Sequence, residues 1–157
     1  MKTLDPEAFE QLKRQSVAQL LFKCARLVNE HAIERVNQKL SPAPALRASH
    51  TALFPHLSAE GVRGADLAKK LGVTKQAVSQ LITELEEWGV VEQVPDPADG
   101  RAKLVRFTPK GEQGFVQGLT VLREVEQELS DKIGKRRMQE LHAALLALEK
   151  ALVEDEP

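Results

Sequence analysis

The sequence predicts a mainly α-helical fold that carries one small β-hairpin. Three observations support this fold class. Leu, Ala, Val, Glu, Lys and Arg dominate the 157 residues, whereas aromatic residues make up 4% and tyrosine is absent, a composition that favours helices over an all-β design. Two short helical patterns meet at residues 72–74. A dense cluster of turn-forming residues at 95–100 then separates two strand-like segments, which indicates a hairpin.

The N-terminal segment, from about Pro6 to Leu40, is predicted to form one long helix. Asp5 supplies a cap, and Pro6 takes the first helical position, where proline is tolerated. At about 1.5 Å per residue this helix is about 50 Å long. Its apolar stripe is longer than so small a domain covers, and such stripes usually pack on another chain. The stripe comprises Phe9, Leu12, Val17, Leu20, Leu21, Cys24, Leu27, Val28 and Ile33.

Residues 41–44 form the clearest linker of the first half, because neither of their prolines can continue a helix. A short helix is expected over about 45–57, with Pro55 loosening its last turn. A turn over 58–61 and a very short strand at 62–63 follow. The expected buried side of the short helix comprises Leu46, Leu53, Phe54 and Leu57.

Residues 64–88 read as two helices joined by a short turn, the helix-turn-helix arrangement. Ala68 is small enough to let two helices cross closely. Gly72 permits the positive φ that ends the first helix, and Thr74 caps the second by accepting an amide hydrogen bond. The apolar residues of the second helix recur at three, four and three positions along one stripe. These are Val78, Leu81, Leu85 and Trp88.

The opposite face of the second helix carries side chains suited to reading base edges, with one cation for a phosphate. Its acids, Glu84, Glu86 and Glu87, lie toward the C-terminal end, so the N-terminal half is free of negative charge, as entry into a major groove requires. A soluble hairpin with a polar outer face is the alternative. The candidate DNA contacts are Gln76, Ser79, Gln80 and Thr83 for bases, Lys75 for phosphate, and Thr74 at the helix start.

Residues 90–107 are predicted to form a wing. Val90–Val94 and Lys103–Phe107 read as its strands. Near the tip, Arg101 is placed to enter a narrow minor groove, whose negative potential attracts arginine. Asp99 is placed to orient the guanidinium through a charge-assisted hydrogen bond, and Lys103 to contact phosphate. A plain solvent-exposed hairpin tip is the alternative.

Charge is concentrated locally. The net charge is −1, but residues 63–83 carry four cations against one acid, and residues 100–110 carry four cations and no acid. Two basic zones on a nearly neutral chain indicate a localised phosphate-facing surface. Ordinary solvated surface charge is the alternative for each zone by itself.

Two further helices end the chain. Thr108-Pro109 is a cap followed by proline and begins a helix that runs to about Ile133, where Gly134 breaks it. The last helix is expected over about 135–153, with a frayed acidic end at 154–156. Its apolar residues form a narrow heptad seam, which is typical of an interhelical interface. The seam comprises Met138, Leu141, Leu145, Leu148 and Leu152, and the preceding helix has Phe115, Leu119, Leu122, Val125, Leu129 and Ile133.

The order of these elements resembles the MarR family of bacterial transcription regulators. The resemblance covers about residues 45–112 and rests on the 67–85 core, the Glu86–Val91 exit, the Asp96–Arg101 wing and the Phe107–Gly111 helix start. It implies an obligate homodimer whose N-terminal helix and two C-terminal helices interlock. It also implies, in many members, an effector pocket beside the DNA-binding lobe and repression relieved by aromatic or phenolic compounds or by oxidation. Lys75 to Trp88 then becomes the recognition helix, and Arg101 the wing arginine.

We therefore expect a winged helix-turn-helix with N- and C-terminal dimerisation helices. Residues 1–40 would form the N-terminal dimerisation helix, 45–110 the DNA-binding lobe and 108–153 the C-terminal dimerisation helices, interlocked into one domain. The expected partners are double-stranded DNA, a second copy and an aromatic or phenolic effector, with no cofactor. Neither a signal peptide nor a membrane-spanning run is present, which predicts a cytoplasmic protein.

Other sites are weaker predictions. Arg47, His50 and Phe54 are candidates for the border of an effector pocket, with surface polarity and a core aromatic as the alternative. Cys24 is the single cysteine, which excludes an intrachain disulfide and a cysteine-based zinc site. One branch of the resembling family senses peroxide through such a cysteine with supporting tyrosines, which this chain lacks. Cys24 lies on the apolar stripe of the predicted helix, so a core or interface role is favoured.

The sequence also bears on metal binding, on catalysis and on protein–protein contacts as other possible functions. The four histidines are scattered, and Cys24 and His31 share a helix face without a third ligand, so no metal site is predicted. No nucleophile–base pair or phosphate-binding loop stands out, which argues against an enzyme. A winged-helix module for protein–protein contacts is the alternative class. Its wing would more often present apolar anchors than basic residues.

Overall fold

The computed structural model describes residues 5–40 and 44–154. It is mainly helical with one three-stranded antiparallel sheet, which confirms the predicted fold class. Residues 41–43 of the predicted linker at 41–44 and residues 155–156 of the predicted frayed end at 154–156 lie outside the described residues, whereas Glu154 is the last residue of a helix. The elements are α1 (Pro6–Gln15), α2 (Val17–Lys39), α3 (Ala48–Thr51), β1 (Val62–Arg63), α4 (Gly64–Leu71), α5 (Lys75–Glu87), β2 (Val91–Asp96), β3 (Asp99–Phe107), α6 (Pro109–Ile133) and α7 (Lys135–Glu154).

The chain divides into two compact units, Met1–Gln117 and Gly118–Pro157. The first unit contains α1 to α5, the sheet and the first turns of α6. The second contains the rest of α6 and α7. The predicted ranges 1–40, 45–110 and 108–153 were assigned by role in dimerisation and DNA binding, and they stay a prediction.

The prediction of one N-terminal helix from Pro6 to Leu40 is wrong, because the helix breaks at Ser16. The backbone of Ser16 is extended, and its hydroxyl accepts a hydrogen bond from the Gln19 amide at 3.3 Å. Serine competes well for backbone donors in this way and so favours a helix start over a helix interior. The result is a separate ten-residue α1, on which Phe9 and Leu12 are about half exposed.

The helix predicted over residues 45–57 is also wrong in extent. The structure has only the four-residue α3, followed by a single 3₁₀ turn at Phe54–His56. Asn37 of α2 explains the late start, since its side chain accepts from the Leu46 amide at 2.8 Å and donates to the Leu46 carbonyl at 3.0 Å. The backbone there bonds to a neighbouring helix instead of its own next turn. Pro55 lies in the 3₁₀ turn, where its missing N–H removes no α-helical hydrogen bond.

The core of the first unit lies beneath the helix-turn-helix. Gly72 has φ +64° and ends α4, and the Thr74 hydroxyl accepts from the Ala77 amide at 3.1 Å to cap α5, so both predicted signals are confirmed. A fully buried aliphatic side chain contributes about 1.5–3 kcal/mol, which makes this cluster the main support of the lobe. The buried cluster comprises Leu53, Leu67, Ala68, Val78, Ile82, Leu85, Val91 and Val105.

The sheet has the order β1-β3-β2, and both pairings are antiparallel. The predicted strands of the wing exist but extend further toward the tip. Pro95 pairs with Lys103, whereas Asp96 pairs with Asp99. The register therefore shifts between Pro95 and Asp96, and the residues skipped on β3 bulge out around Arg101. Bulges of this kind re-aim side chains at sheet ends.

The predicted helix start at Thr108-Pro109 is confirmed, and α6 is fastened there to the end of α5. The Thr108 hydroxyl donates to the Gly89 carbonyl at 2.6 Å and accepts from the Gly111 amide at 3.0 Å. Lys110 Nζ donates to the Trp88 carbonyl at 2.7 Å. These contacts satisfy carbonyl groups that a helix C-terminus leaves without partners.

In the second unit, Val121, Val125 and Ser130 of α6 are buried. The predicted bounds of α7 are confirmed to within one residue. No described residue of α7 is buried. None of the helices within residues 5–40 and 44–154 is long and apolar enough to cross a membrane. Exposed apolar residues on α7 include Leu141, Leu145, Leu146, Leu148 and Leu152.

Candidate nucleic-acid interface

The N-terminal half of α5 presents a polar face opposite its buried stripe. Val78, Ile82 and Leu85 anchor the helix in the core. Because these residues fix which side of the helix faces inward, the side chains between them point outward. Every residue predicted to contact DNA is exposed: Thr74, Lys75, Gln76, Ser79, Gln80, Thr83, Asp99, Arg101 and Lys103.

Most of this outward face keeps its hydrogen-bonding capacity. The Thr83 hydroxyl donates to the Ser79 carbonyl at 3.0 Å, which leaves its lone pairs available. Gln80 Nε2 lies 3.5 Å from Glu84 Oε1, too far for a strong bond. Lys75 has no ion pair with any described carboxylate. The face can therefore exchange water for base edges and phosphates at little cost in broken internal contacts.

The wing tip is shaped by Asp99. Its Oδ1 accepts from the Arg101 backbone N–H at 3.1 Å, where the sequence had predicted a contact with the guanidinium. Asp99 therefore sets the backbone conformation of the tip. Among residues 5–40 and 44–154 no carboxylate forms an ion pair with the Arg101 guanidinium, so its five donors are available to a ligand.

Behind the tip, an ion pair between Arg63 of β1 and Asp96 of β2 fastens the wing. Arg63 Nε and Nη2 lie 2.7 and 2.5 Å from Asp96 Oδ2, and the Ala98 amide donates to Oδ1 at 2.8 Å. Asp96 is only 7% exposed. The Ala98 amide, and next the Arg63 guanidinium, hold the pKa of the Asp96 carboxyl below its ordinary value of 3.8.

We expect the Asp96→Asn variant to be less stable than wild type at neutral pH, with a difference that shrinks on acidification. The folded state lowers the pKa of Asp96, so its carboxylate contributes stability above pH 3.8, and this is lost as pH falls through the lower folded value. Urea unfolding at several pH values measures the difference. Asp99→Asn is the control, because an asparagine oxygen still accepts the Arg101 amide. A pH-independent difference for Asp96→Asn would contradict the assignment.

Contacts within the lobe engage some of the cations in the two predicted basic zones, so fewer cations are available to phosphate. Arg63 is engaged by Asp96, Arg106 by Glu92 at 2.8 Å, and Lys110 by the Trp88 carbonyl. These cations support the lobe and are not free for phosphate. The exposed cations that remain in the two zones are Lys69, Lys70, Lys75, Arg101 and Lys103.

The three weaker ligand candidates are engaged inside the lobe. His50 is fully buried, and its Nε2 lies 3.0 Å from Glu84 Oε2 of α5. Arg47 is hydrogen-bonded to the same carboxylate oxygen. Phe54 lies in an aromatic cluster with Phe107 and Phe115 at centroid distances of 5.8 and 6.1 Å. Their role as effector contacts stays a prediction.

Cys24 is exposed on α2. It does not lie in the core of the described chain. An interface role, which would require a second copy, stays a prediction.

Two residues that matter to this surface were missed by sequence reasoning. Asp96 was counted as a turn former, although a charged residue ending a strand and followed by Pro-Ala is a candidate for a buried ion pair. Glu84 was noted only for its place at the acidic end of α5. Its partners Arg47 and His50 lie 37 and 34 residues away in sequence, and no local pattern connects them.

Taken together, an exposed polar helix face, a short turn and a β-hairpin with a free arginine define a winged helix-turn-helix lobe of the kind that reads duplex DNA. The MarR family model matches residues 48–102, the segment that contains this lobe. Over these residues the chain is similar to the MarR family of transcriptional regulators. Members of this family are regulators and not enzymes, in agreement with the prediction from sequence.

Individual relatives agree with this assignment. The transcriptional activatory protein BadR of Rhodopseudomonas palustris is 33% identical over 95 residues, which are 58% of this chain and 51% of that protein. The chain thus spans about half the length of this curated relative. Wild-type apo MarR from E. coli is 26% identical, with a TM-score of 0.64 over 82% of this chain and 96% of that one. CouR from Rhodococcus jostii RHA1, bound to p-coumaroyl-CoA, shares the fold at 23% identity, TM-score 0.62, over 87% of this chain and 93% of that one.

Proposed function

We propose that the chain is a homodimeric DNA-binding regulator, a repressor whose pseudo-palindromic operator is released when an effector binds. One observation carries the proposal: the acid-free N-terminal half of α5 and the unpaired guanidinium of Arg101 are both exposed on one lobe. A helix end and an arginine-tipped hairpin suit a major groove and the adjacent minor groove respectively. Residues 45–110 would then bind DNA.

In this proposal each protomer reads one half-site. The two α5 helices enter successive major grooves about 34 Å apart, and the wings lie in flanking minor grooves. Arg101 enters the minor groove, and Asp99 holds the tip in shape. Lys75 and Lys103 neutralise phosphates, with Thr74 at the helix start. Base edges are contacted by Gln76, Ser79, Gln80 and Thr83.

A second copy is the partner that the exposed apolar residues favour. Segments 1–40 and 108–153 carry most of them, including the seam of α7. So many exposed apolar side chains are uncommon on a monomer and mark an association surface. The heptad spacing of the α7 leucines suits helix-on-helix packing. Exposed apolar residues in these segments include Phe9, Leu12, Val17, Leu20, Phe22, Leu27, Val28, Leu141, Leu145, Leu148 and Leu152.

Regulation by a small molecule would act through this dimer. An effector releases DNA if it prefers a dimer whose two reading helices are wrongly spaced, and it shifts the equilibrium only by its differential affinity for the two shapes. The aromatic thioester bound to CouR supports an aromatic or phenolic effector for this chain. Repression follows where the operator overlaps a promoter, whereas binding upstream would give activation, the role named for BadR.

The test uses a duplex selected by the wild-type protein from a random pool, and a scrambled duplex of equal length. Gln80→Ala should lose selected-duplex affinity while scrambled binding stays unchanged, because a base contact carries the sequence information. Lys75→Ala should weaken both and reduce the slope of affinity against salt by about one, because a phosphate contact releases counterions. Fluorescence anisotropy across a salt series measures both effects.

Salt-independent binding, or selection of no preferred sequence, would overturn the proposal. Either result would favour the protein–protein module instead, since apolar contacts between proteins depend little on salt.

A further inference from the structure

A fully buried histidine links α3 to the reading helix α5 through a side-chain hydrogen bond. His50 of α3 is 0% exposed. Among the largest fully buried side chains of the described residues, it is the one that is polar. Buried imidazoles are costly unless both nitrogens find partners. Here both do, and one partner belongs to α5.

The hydrogen bonds define the state of the ring. The Arg47 backbone N–H donates to His50 Nδ1 at 3.2 Å, so Nδ1 carries no proton. With Nδ1 as an acceptor, Nε2 carries the ring proton and donates to Glu84 Oε2 at 3.0 Å, while Arg47 Nη2 lies 3.3 Å from the same nitrogen. The ring edge also contacts Trp88, with centroids 4.7 Å apart and planes at 76°. His50 therefore contacts α5 at Glu84 and, one turn later, the residue that caps the C-terminal end of α5, Trp88.

Glu84 receives two donors on this side of the helix. Its Oε2 accepts from His50 and from the Arg47 guanidinium, and the carboxylate is only 25% exposed. These hydrogen bonds, that from His50 foremost, hold the pKa of Glu84 below its ordinary value. The carboxylate therefore stays charged, and it joins α5 to α3 at this point of the helix.

The other side of α3 is fastened to α2. The Thr51 hydroxyl donates to Asn29 Oδ1 at 3.2 Å, and Asn37 makes two hydrogen bonds to the Leu46 backbone just before α3. Neighbouring residues in and just before α3 thus bond to α2 on one side and to α5 on the other, within the first unit.

We propose that His50 is a positioning residue for DNA recognition: by donating to Glu84 it sets the rotation of α5 that presents Gln76, Ser79 and Gln80 to base edges. It touches no DNA itself. The proposal rests on the proposed function. Thr83 precedes Glu84 and Gln80 lies one turn before it, so a rotation of the helix at this point displaces the reading side chains directly. Scrambled-duplex binding, which depends on charge, is much less sensitive to such a rotation.

The test compares three variants on the selected and scrambled duplexes. His50→Leu keeps the volume but removes the donor. His50→Leu/Glu84→Leu removes both polar partners, a change that protects folding because no buried group loses its partner alone. Gln93→Ala is the matched control: it removes a 2.9 Å hydrogen bond to Glu86, also on α5, but at the exposed surface. Circular dichroism is used to choose a temperature at which each variant is folded.

We expect the ratio of selected to scrambled affinity to fall about tenfold or more in His50→Leu and in the double variant. A fall of this size corresponds to the loss of one well-placed base contact. Gln93→Ala should keep the wild-type ratio. If His50→Leu does not fold, the double variant decides. The inference would be overturned if His50→Leu, or the double variant where His50→Leu does not fold, kept the wild-type ratio. It would also be overturned if the ratio fell equally in Gln93→Ala. A wild-type protein that prefers no duplex would instead refute the proposed function.

Discussion

The Gly111→Ala variant is expected to lose about 3 kcal/mol or more of unfolding free energy, at the upper end of the cost of overpacking. A Cβ at position 111 would lie 1.8 Å from the Val90 carbonyl oxygen and 2.8 Å from its carbon. Both are backbone atoms, so no side chain can rotate away. The first turn of α6 would have to leave β2, which would break the bonds of Thr108 to the Gly89 and Val90 carbonyls. Urea unfolding followed by circular dichroism measures the loss.

Gly114→Ala is the matched control on the same helix. Nothing lies within 4 Å of a Cβ built there, and alanine is the better helix former by about 0.8–1 kcal/mol. This variant should be as stable as wild type or slightly more so. Both should be compared at one protein concentration, because association adds to apparent stability. Equal unfolding midpoints for Gly111→Ala and Gly114→Ala would show that α6 does not approach Val90 closely.

The Arg101→Ala variant is expected to bind the selected duplex roughly a hundredfold more weakly, since each arginine contact with DNA is worth about 1–3 kcal/mol and a dimer has two. The side chain is exposed and forms no ion pair among the described residues, so its removal should leave the unfolding midpoint unchanged. Fluorescence anisotropy at fixed salt gives the affinity, and thermal unfolding tests the stability.

Two comparisons make the Arg101 result specific. Arg101→Lys keeps the charge but not the planar fork, and should fall between wild type and Arg101→Ala. Arg136→Ala removes the same charge from the exposed surface of α7, where the side chain is 86% exposed, and should change affinity little. Unchanged binding by Arg101→Ala would refute the minor-groove role of the wing.

The elements predicted best from sequence are those whose signals are local. Gly72 and Thr74 end one helix and begin the next through contacts within a few residues, and Thr108-Pro109 begins α6 in the same way. Helical spacing predicted the buried Val78 and Leu85 of α5, but it missed the buried Ile82, and the predicted Leu81 and Trp88 are only partly buried. The exposure of the opposite face of α5 then follows by geometry, which is why the five candidate contacts on α5 (Lys75, Gln76, Ser79, Gln80 and Thr83) proved to be exposed.

The elements that the sequence did not predict depend on partners distant in sequence, or on a small free-energy difference between a continuous helix and a broken one. A single hydroxyl-to-amide bond at Ser16 decides between one helix and two. The late start of α3 is set by Asn37, nine residues away on another helix. Arg63 and Asp96 are separated by 33 residues and meet only because β1 and β2 flank β3. Such pairings require the tertiary fold before they can be recognised.

The central claim, paired reading of DNA by two lobes, is tested most directly by hydroxyl-radical footprinting of the wild-type protein on its selected duplex. The predicted result is two protected segments related by two-fold symmetry, with centres about 34 Å or one helical turn apart, each flanked by minor-groove protection that disappears with Arg101→Ala. The complex should contain two copies of the 17.4 kDa chain. A single protected segment, or a complex with one copy, would contradict the account.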